Sequence, residues 1–198
     1  MDRHYPIPAR LNVLLAVLLL ILLPALLASA GWVTSGWQLA LLALAYAAVM
    51  NSGYALLHEA EHNLFHPHPL VNQIGGALLA LFFPAPFHLL RQGHLGHHMR
   101  NRSDDEAFDY YFDGENRIWK RLQLYGILTG FFWAVIALGN ILAVVNPAVL
   151  QPKYARFDRP TAAFLASLNP KFRRLVRVEA LAVFVVHGGM IWLSDIPW

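Results

Sequence analysis

The sequence predicts an all-α protein, a polytopic helical bundle integral to a membrane. Three observations carry that expectation. Of 198 residues, 57% are hydrophobic and only 14% charged, where a soluble domain carries about 25% charged residues. The apolar residues gather into four long runs, at 11–30, 37–57, 122–145 and 178–194. Each approaches the roughly 20 residues that take a helix across a hydrocarbon core about 30 Å thick. Finally, ten histidines stand beside fifteen Lys plus Arg, and eight of the ten fall between residues 58 and 98. The composition excludes a disordered chain and argues against an ordinary soluble enzyme. With no cysteine there is no disulfide, thiolate metal site or Cys nucleophile. The net charge of +3 and the basic isoelectric point would suit nucleic acid. The basic residues flank apolar segments, however, which fits a membrane surface better, so no nucleic-acid partner is expected.

The elements follow in order. Residues 1–10 are a polar lead with Arg3 and Arg10. Run 11–30 is interrupted only by Asn12, Pro24 and Ser29. Ala28-Ser29-Ala30 resembles a signal-peptide cleavage site. The run is longer than the usual apolar region of about 7–15 residues, and a second run follows at once, so a spanning helix is the preferred reading. After an uncharged turn at 31–36, run 37–57 completes a helical hairpin, with Trp32 and Trp37 as interface anchors. Residues 58–121 are polar, with six Lys/Arg and eight Asp/Glu. Within them an apolar island at 74–83 ends at Pro84-Ala85-Pro86. It is too short to span and reads as interfacial or re-entrant.

Run 122–145 contains Gly126, Gly130, Gly139 and Asn140. The connector 146–177 holds seven Lys/Arg against one acid, Asp158. With a cytoplasmic N-terminus, a full crossing by 122–145 would put this basic connector outside, against the positive-inside rule. A dip that returns would keep it inside, and the glycines allow one. The connector reads as a membrane-surface anchor. Run 178–194 carries Glu179 and His187. No repeat, low-complexity linker or internal boundary is visible, so 1–198 is expected to form one membrane domain. The apolar run ends almost at Trp198 without a polar tail, which suggests a fragment of a longer chain.

The chemistry sits in two histidine clusters. His58-Glu59-Ala60-Glu61-His62 puts two imidazoles at i and i+4, on one face of a helix. It also satisfies H-E-x-x-H, the zinc-protease pattern with Glu59 as general base. His94-Leu95-Gly96-His97-His98 adds three more at i, i+3 and i+4. Neutral imidazole suits Zn, Cu, Fe or Ni. Five histidines exceed the three protein ligands of one catalytic zinc and match a two-metal site. His66 and His68, each followed by proline, read as turn residues. His88 and the acids Glu59, Glu61, Asp104, Asp105 and Glu106 are candidates for outer hydrogen-bond partners of metal-bound imidazoles, but for most of the acids a solvated face that neutralises nearby arginines is the preferred reading. His187, inside an apolar run, is either a ligand or a hydrogen-bonding partner of another helix.

These two boxes, with Arg100-Asn101-Arg102-Ser103-Asp104-Asp105 just after the second, resemble the membrane-bound fatty-acid desaturase and hydroxylase superfamily. The resemblance covers most of the chain. It implies a helical membrane domain whose histidine-rich cap faces the cytosol, with two iron ions in a non-haem di-iron centre. The implied reaction is O2-dependent desaturation or hydroxylation of an acyl chain, with electrons from a ferredoxin- or cytochrome-type partner. It also implies His58, His62, His94, His97 and His98 as iron ligands, with His187 as a possible sixth. The family has a third box, again HxxHH, late in the chain, whereas here His187 is the only histidine after His98. Either the remaining ligands lie beyond Trp198 in a longer parent, or the chain is an inactive membrane protein. A zinc metalloprotease built on the first box is the other alternative.

Overall fold

The computed structural model describes residues 6–106 and 110–193. Among these the chain forms eight α-helices joined by turns and short 3-10 segments, with no strand. Three helical stretches are long and apolar enough to cross a membrane: Ala9–Trp32, Gly36–Glu61 and Pro170–Leu193. The all-α membrane architecture expected from composition and hydropathy is therefore present. The helices fall into two compact units, one of Met1–Phe87 with Leu181–Trp198 and one of His88–Ala180.

In the first unit, α1 (Ala9–Ala28) and α2 (Gly36–Glu61) form the expected hairpin. The buried positions of α1 are Asn12, Ala16, Leu19 and Leu23, a spacing that marks one narrow helix face. The leucines and Ile21 around it stay exposed. A helix that is apolar all round but buried on one stripe is suited to lipid on its other sides. Trp32 and Trp37, at the hairpin turn, are also exposed. The start of α2 is set by a capping box in which Gln38 Oε1 accepts from the backbone N–H of Ser35 at 3.2 Å.

Two asparagines pin the loop after α2. Asn12 Nδ2 donates to the Phe65 carbonyl at 2.9 Å. Asn72, on α3 (Pro69–Ala80), accepts from Phe65 N–H at 3.1 Å and donates to the Ala60 carbonyl at 2.8 Å. Asn72 is fully buried, so its amide meets backbone groups that lipid or packed side chains would leave unpaired. The C-terminal end of α2, which carries the first histidine box, is thereby fixed. α3 covers most of the apolar island seen in the sequence, and its 12 residues are too few to span.

The second unit contains α4 (Phe87–Arg100, from His88 onward), α5 (Arg117–Thr129), α6 (Phe131–Val145), α7 (Arg159–Ala166) and the first part of α8 (Arg173–Leu193). Ala143, Val176 and Ala180 form a buried core with Leu89, Val144 and Leu150 packed on it. The run 122–145 is not one straight helix. Gly130 takes φ 83°, the left-handed conformation that glycine tolerates best, and ends α5. α6 starts at the next residue, and the pair bends by 91°. Asp158 caps α7 by accepting from Thr161 N–H at 3.0 Å, and its other oxygen accepts from Trp119 Nε1 at 3.0 Å and Gln123 Nε2 at 2.8 Å. One buried carboxylate thus ties α5 to α7.

Candidate functional site

The first histidine box lies on the last turn of α2, with His58 inside the helix and His62 at its C-cap. The spacing of four residues brings the two rings together, centroids 4.7 Å apart and edge to face. The buried side of this turn is Leu57, Ala60 and Glu61, while both imidazoles remain partly exposed. Glu59 Oε1 lies 3.9 Å from His58 Nδ1, beyond hydrogen-bonding distance.

The second box lies on the last turns of α4. His94 Nε2 and His98 Nε2 face each other at 2.9 Å, with the rings perpendicular. Two metal–imidazole bonds of about 2.1 Å meeting near a right angle would place their nitrogens about 3 Å apart. This nitrogen pair therefore has the spacing of two ligands to one ion, and the donor set of neutral imidazoles suits a transition metal. His97 sits further round the helix, its ring 5.8 Å from that of His98.

A polar relay holds His97. Its Nδ1 lies 2.9 Å from Glu106 Oε2. The other oxygen of Glu106 accepts from Arg100 Nε at 2.9 Å. Arg100 also donates to Ser167 Oγ, and that hydroxyl donates to the Ala163 carbonyl at 3.2 Å. With Nδ1 carrying the proton towards the carboxylate, Nε2 of His97 keeps its lone pair for a metal. The face of α4 turned away from His94 and His98 packs closely on α7. A Cβ at Gly93 would lie 1.9 Å from Phe164 Cε2, and one at Gly96 would lie 2.2 Å from Ser167 Oγ.

Four other described histidines lie outside the two boxes. His88 is the second residue of α4 and is buried. Glu179 of α8 binds it twice, through Nδ1 at 2.6 Å and through its backbone N–H at 3.0 Å. Phe172 stacks on the ring, centroids 5.3 Å apart. His66 Nδ1 accepts from His68 N–H at 3.0 Å, the turn role expected for both. His187 Nε2 meets the Leu81 carbonyl at 2.8 Å, just past the end of α3. Tyr46 Oη donates to the neighbouring Phe82 carbonyl at 3.2 Å. Together they satisfy carbonyls that a helix end leaves unpaired.

Sequence reasoning identified Glu106 among several candidate acids but did not foresee Arg100 and Ser167 behind it. It also left Glu179 without a partner. A lone carboxylate in an otherwise apolar run was the available signal, since such a group faces protein and pairs.

Apolar helices and clustered imidazoles define a helical membrane protein whose histidines are compatible with a metal site. Within each unit two imidazoles come together at a helix end, His58 with His62 and His94 with His98, a donor chemistry compatible with a metal ion. The sequence model of the fatty acid desaturase family matches residues 35–198, and the chain belongs to that family. No curated protein and no solved structure matches it significantly. Membership supports a lipid desaturase- or hydroxylase-type oxidoreductase of membranes; the family in general takes lipid substrates and uses O2, and the clustered histidines here are compatible with a metal site.

Proposed function

We propose that His58, His62, His94, His97 and His98 hold two iron ions, and that the protein desaturates or hydroxylates a fatty acyl chain. The observation that carries this reading is the 2.9 Å approach of His94 Nε2 to His98 Nε2, on a helix whose next histidine has its tautomer set by Glu106. Bound iron would supply the oxidising power, drawn from O2 and two electrons, that removes hydrogen from an unactivated C–H bond.

The chain's own residues then have definite tasks. His58 and His62 present imidazoles from one turn of α2, and His94 and His98 from one turn of α4. Glu106 keeps the proton on Nδ1 of His97 and is itself held by Arg100. His187 has Nε2 committed to the Leu81 carbonyl, so as a sixth ligand it would act through Nδ1. The long apolar helices place the acyl substrate in the bilayer, with several crossings and the histidine boxes on the cytoplasmic side. There a ferredoxin- or cytochrome-type protein delivers electrons. The residues 1–198 act as one membrane domain.

Metal analysis of the purified protein after iron loading tests this reading. Two iron ions per chain are expected, falling in His94→Ala with His98→Ala while helical content is retained. One tightly held zinc and no iron would overturn it in favour of a protease-type site on the first box. No stoichiometric metal would overturn it altogether.

A further inference from the structure

α5 is built inside out for a helix facing water. Its inward side carries Trp119 and Gln123, bonded to Asp158, and the buried Lys120, paired with Glu115 at 3.4 Å. Its outward side carries apolar residues: Ile118 is 71% exposed, Leu122 46% and Tyr125 55%. At i, i+4 and i+7 these three form one stripe. Beside the stripe stand Arg117 and Arg121, also exposed and also four residues apart. Both reach the same ring. The Arg117 guanidinium lies 5.8 Å from the Tyr111 centroid, and Arg121 Nε donates to Tyr111 Oη at 3.4 Å. Two like charges at i, i+4 repel, and here they are gathered around a tyrosine rather than paired through an acid among the described residues. An anion lying over that face would relieve the repulsion.

The backbone says where such a face belongs. α6, from Phe131 to Val145, carries no charge and a single polar side chain, the buried Asn140, whereas α5 contains Arg117, Lys120, Arg121 and Gln123. Cations are costly in the hydrocarbon core. The 91° bend at Gly130 allows α6 to enter the bilayer while α5, about 20 Å long, runs along its surface. Basic residues beside an apolar and aromatic stripe are the pattern of an interfacial helix.

We infer that the Arg117–Arg121–Tyr125 face of α5, with Ile118 and Leu122, docks onto an anionic lipid surface and anchors the second unit to it. Ile118 and Leu122 enter the boundary between headgroups and acyl chains. Arg117 and Arg121 bind lipid phosphates, and Tyr125 lies at headgroup depth. The inference shares the membrane setting of the proposed function but not its metal assignment.

The absence of cysteine allows a direct test on the whole chain. A spin label at Ile118→Cys or Leu122→Cys, in nanodiscs of zwitterionic lipid with increasing phosphatidylglycerol, reports depth through oxygen accessibility. The labels should lie about 5–10 Å into the interface, more fully as anionic lipid increases. Arg117→Gln with Arg121→Gln should lower the ratio of inserted to water-facing label about fivefold per arginine, and Arg→Lys at both positions should restore most of it. Labels in water at every composition would overturn the inference, as would labels at core depth. Shallow insertion that ignores both lipid charge and the arginines would also overturn it. Iron content of the same samples reports separately on the metal reading.

Discussion

Glu106 accepts the Nδ1 proton of His97 at 2.9 Å, and the same carboxylate is gripped by Arg100. His97 and Glu106 are nine residues apart, the first on α4 and the second in the turn that follows. The turn after the second box is therefore part of the proposed site. A carboxylate behind a metal-bound imidazole fixes its tautomer and ring orientation and raises its basicity. Glu106→Ala removes all three effects.

The expected result is a 10- to 100-fold loss of metal affinity with little change in helical content, measured by competitive iron titration. Glu106→Gln should lose less, because the amide oxygen still accepts from Nδ1 while the ion pair with Arg100 is gone. Equal affinity in wild type and Glu106→Ala would show that His97 is not a ligand.

Gly93 illustrates how the histidine helix is seated. An added Cβ would overlap the Phe164 ring, at 1.9 Å from Cε2. The ring belongs to α7, so Gly93→Ala must push two helices apart or force the ring off its rotamer. Overpacking of this kind costs about 1–3 kcal/mol. Gly93→Ala with Phe164→Leu should be less destabilised than the sum of the single changes, because the smaller side chain vacates the overlap. Thermal unfolding in detergent checks this, and strict additivity would refute the contact.

How much of this was legible in sequence depends on the range of the interaction. The hairpin of α1 and α2 follows from run length and hydropathy alone, since spanning a bilayer imposes both. The pairing of His58 with His62 and of His94 with His98 follows from helical period. The break at Gly130 was only half legible: glycines permit a bend, but whether the chain takes φ 83° there depends on what α5 and α6 pack against. Contacts of long sequence separation left almost no local trace. Glu179 reaches His88 across 91 residues and His187 reaches Leu81 across 106. Each was visible only as a polar group in an apolar setting, a signal that some partner exists without naming it. Asp158 was likewise read only as a lone acid in a basic connector.

That carboxylate has a pH signature. Burial alone would raise the Asp158 pKa, but hydrogen bonds from the Thr161 hydroxyl, Trp119, Gln123 and the Thr161 backbone outweigh it and hold the group below its usual value of 3.8. A depressed acid stabilises the fold above its unfolded pKa, and that contribution is lost as pH falls through the folded value. Stability of the second unit should therefore decline below about pH 4. Asp158→Asn should flatten this acid limb. It should also cost about 0.5–2 kcal/mol near neutrality, because the amide is a weaker partner for the α7 cap and the two α5 donors. Acid titration of the tryptophan fluorescence, with Trp119 as reporter, checks both. An unchanged acid limb in the variant would show that other carboxylates dominate it.

His187 separates a ligand from a helix cap. Its Nε2 meets the Leu81 carbonyl at 2.8 Å, and its ring lies 6.3 Å from Phe82. In an apolar helix the loss of that donor leaves a carbonyl unpaired, at a cost of about 1–3 kcal/mol. His187→Ala should show this loss in thermal unfolding. His187→Gln can still donate from Nε2 and should recover most of it, but an amide is a poor substitute for imidazole on iron. The pair of variants therefore has different consequences for the two roles. If capping is the whole role, His187→Gln keeps both stability and iron. If Nδ1 also binds metal, His187→Gln keeps stability and loses iron. The hydrogen bond itself predicts the first result, and iron content measured on the thermally stable Gln variant decides it.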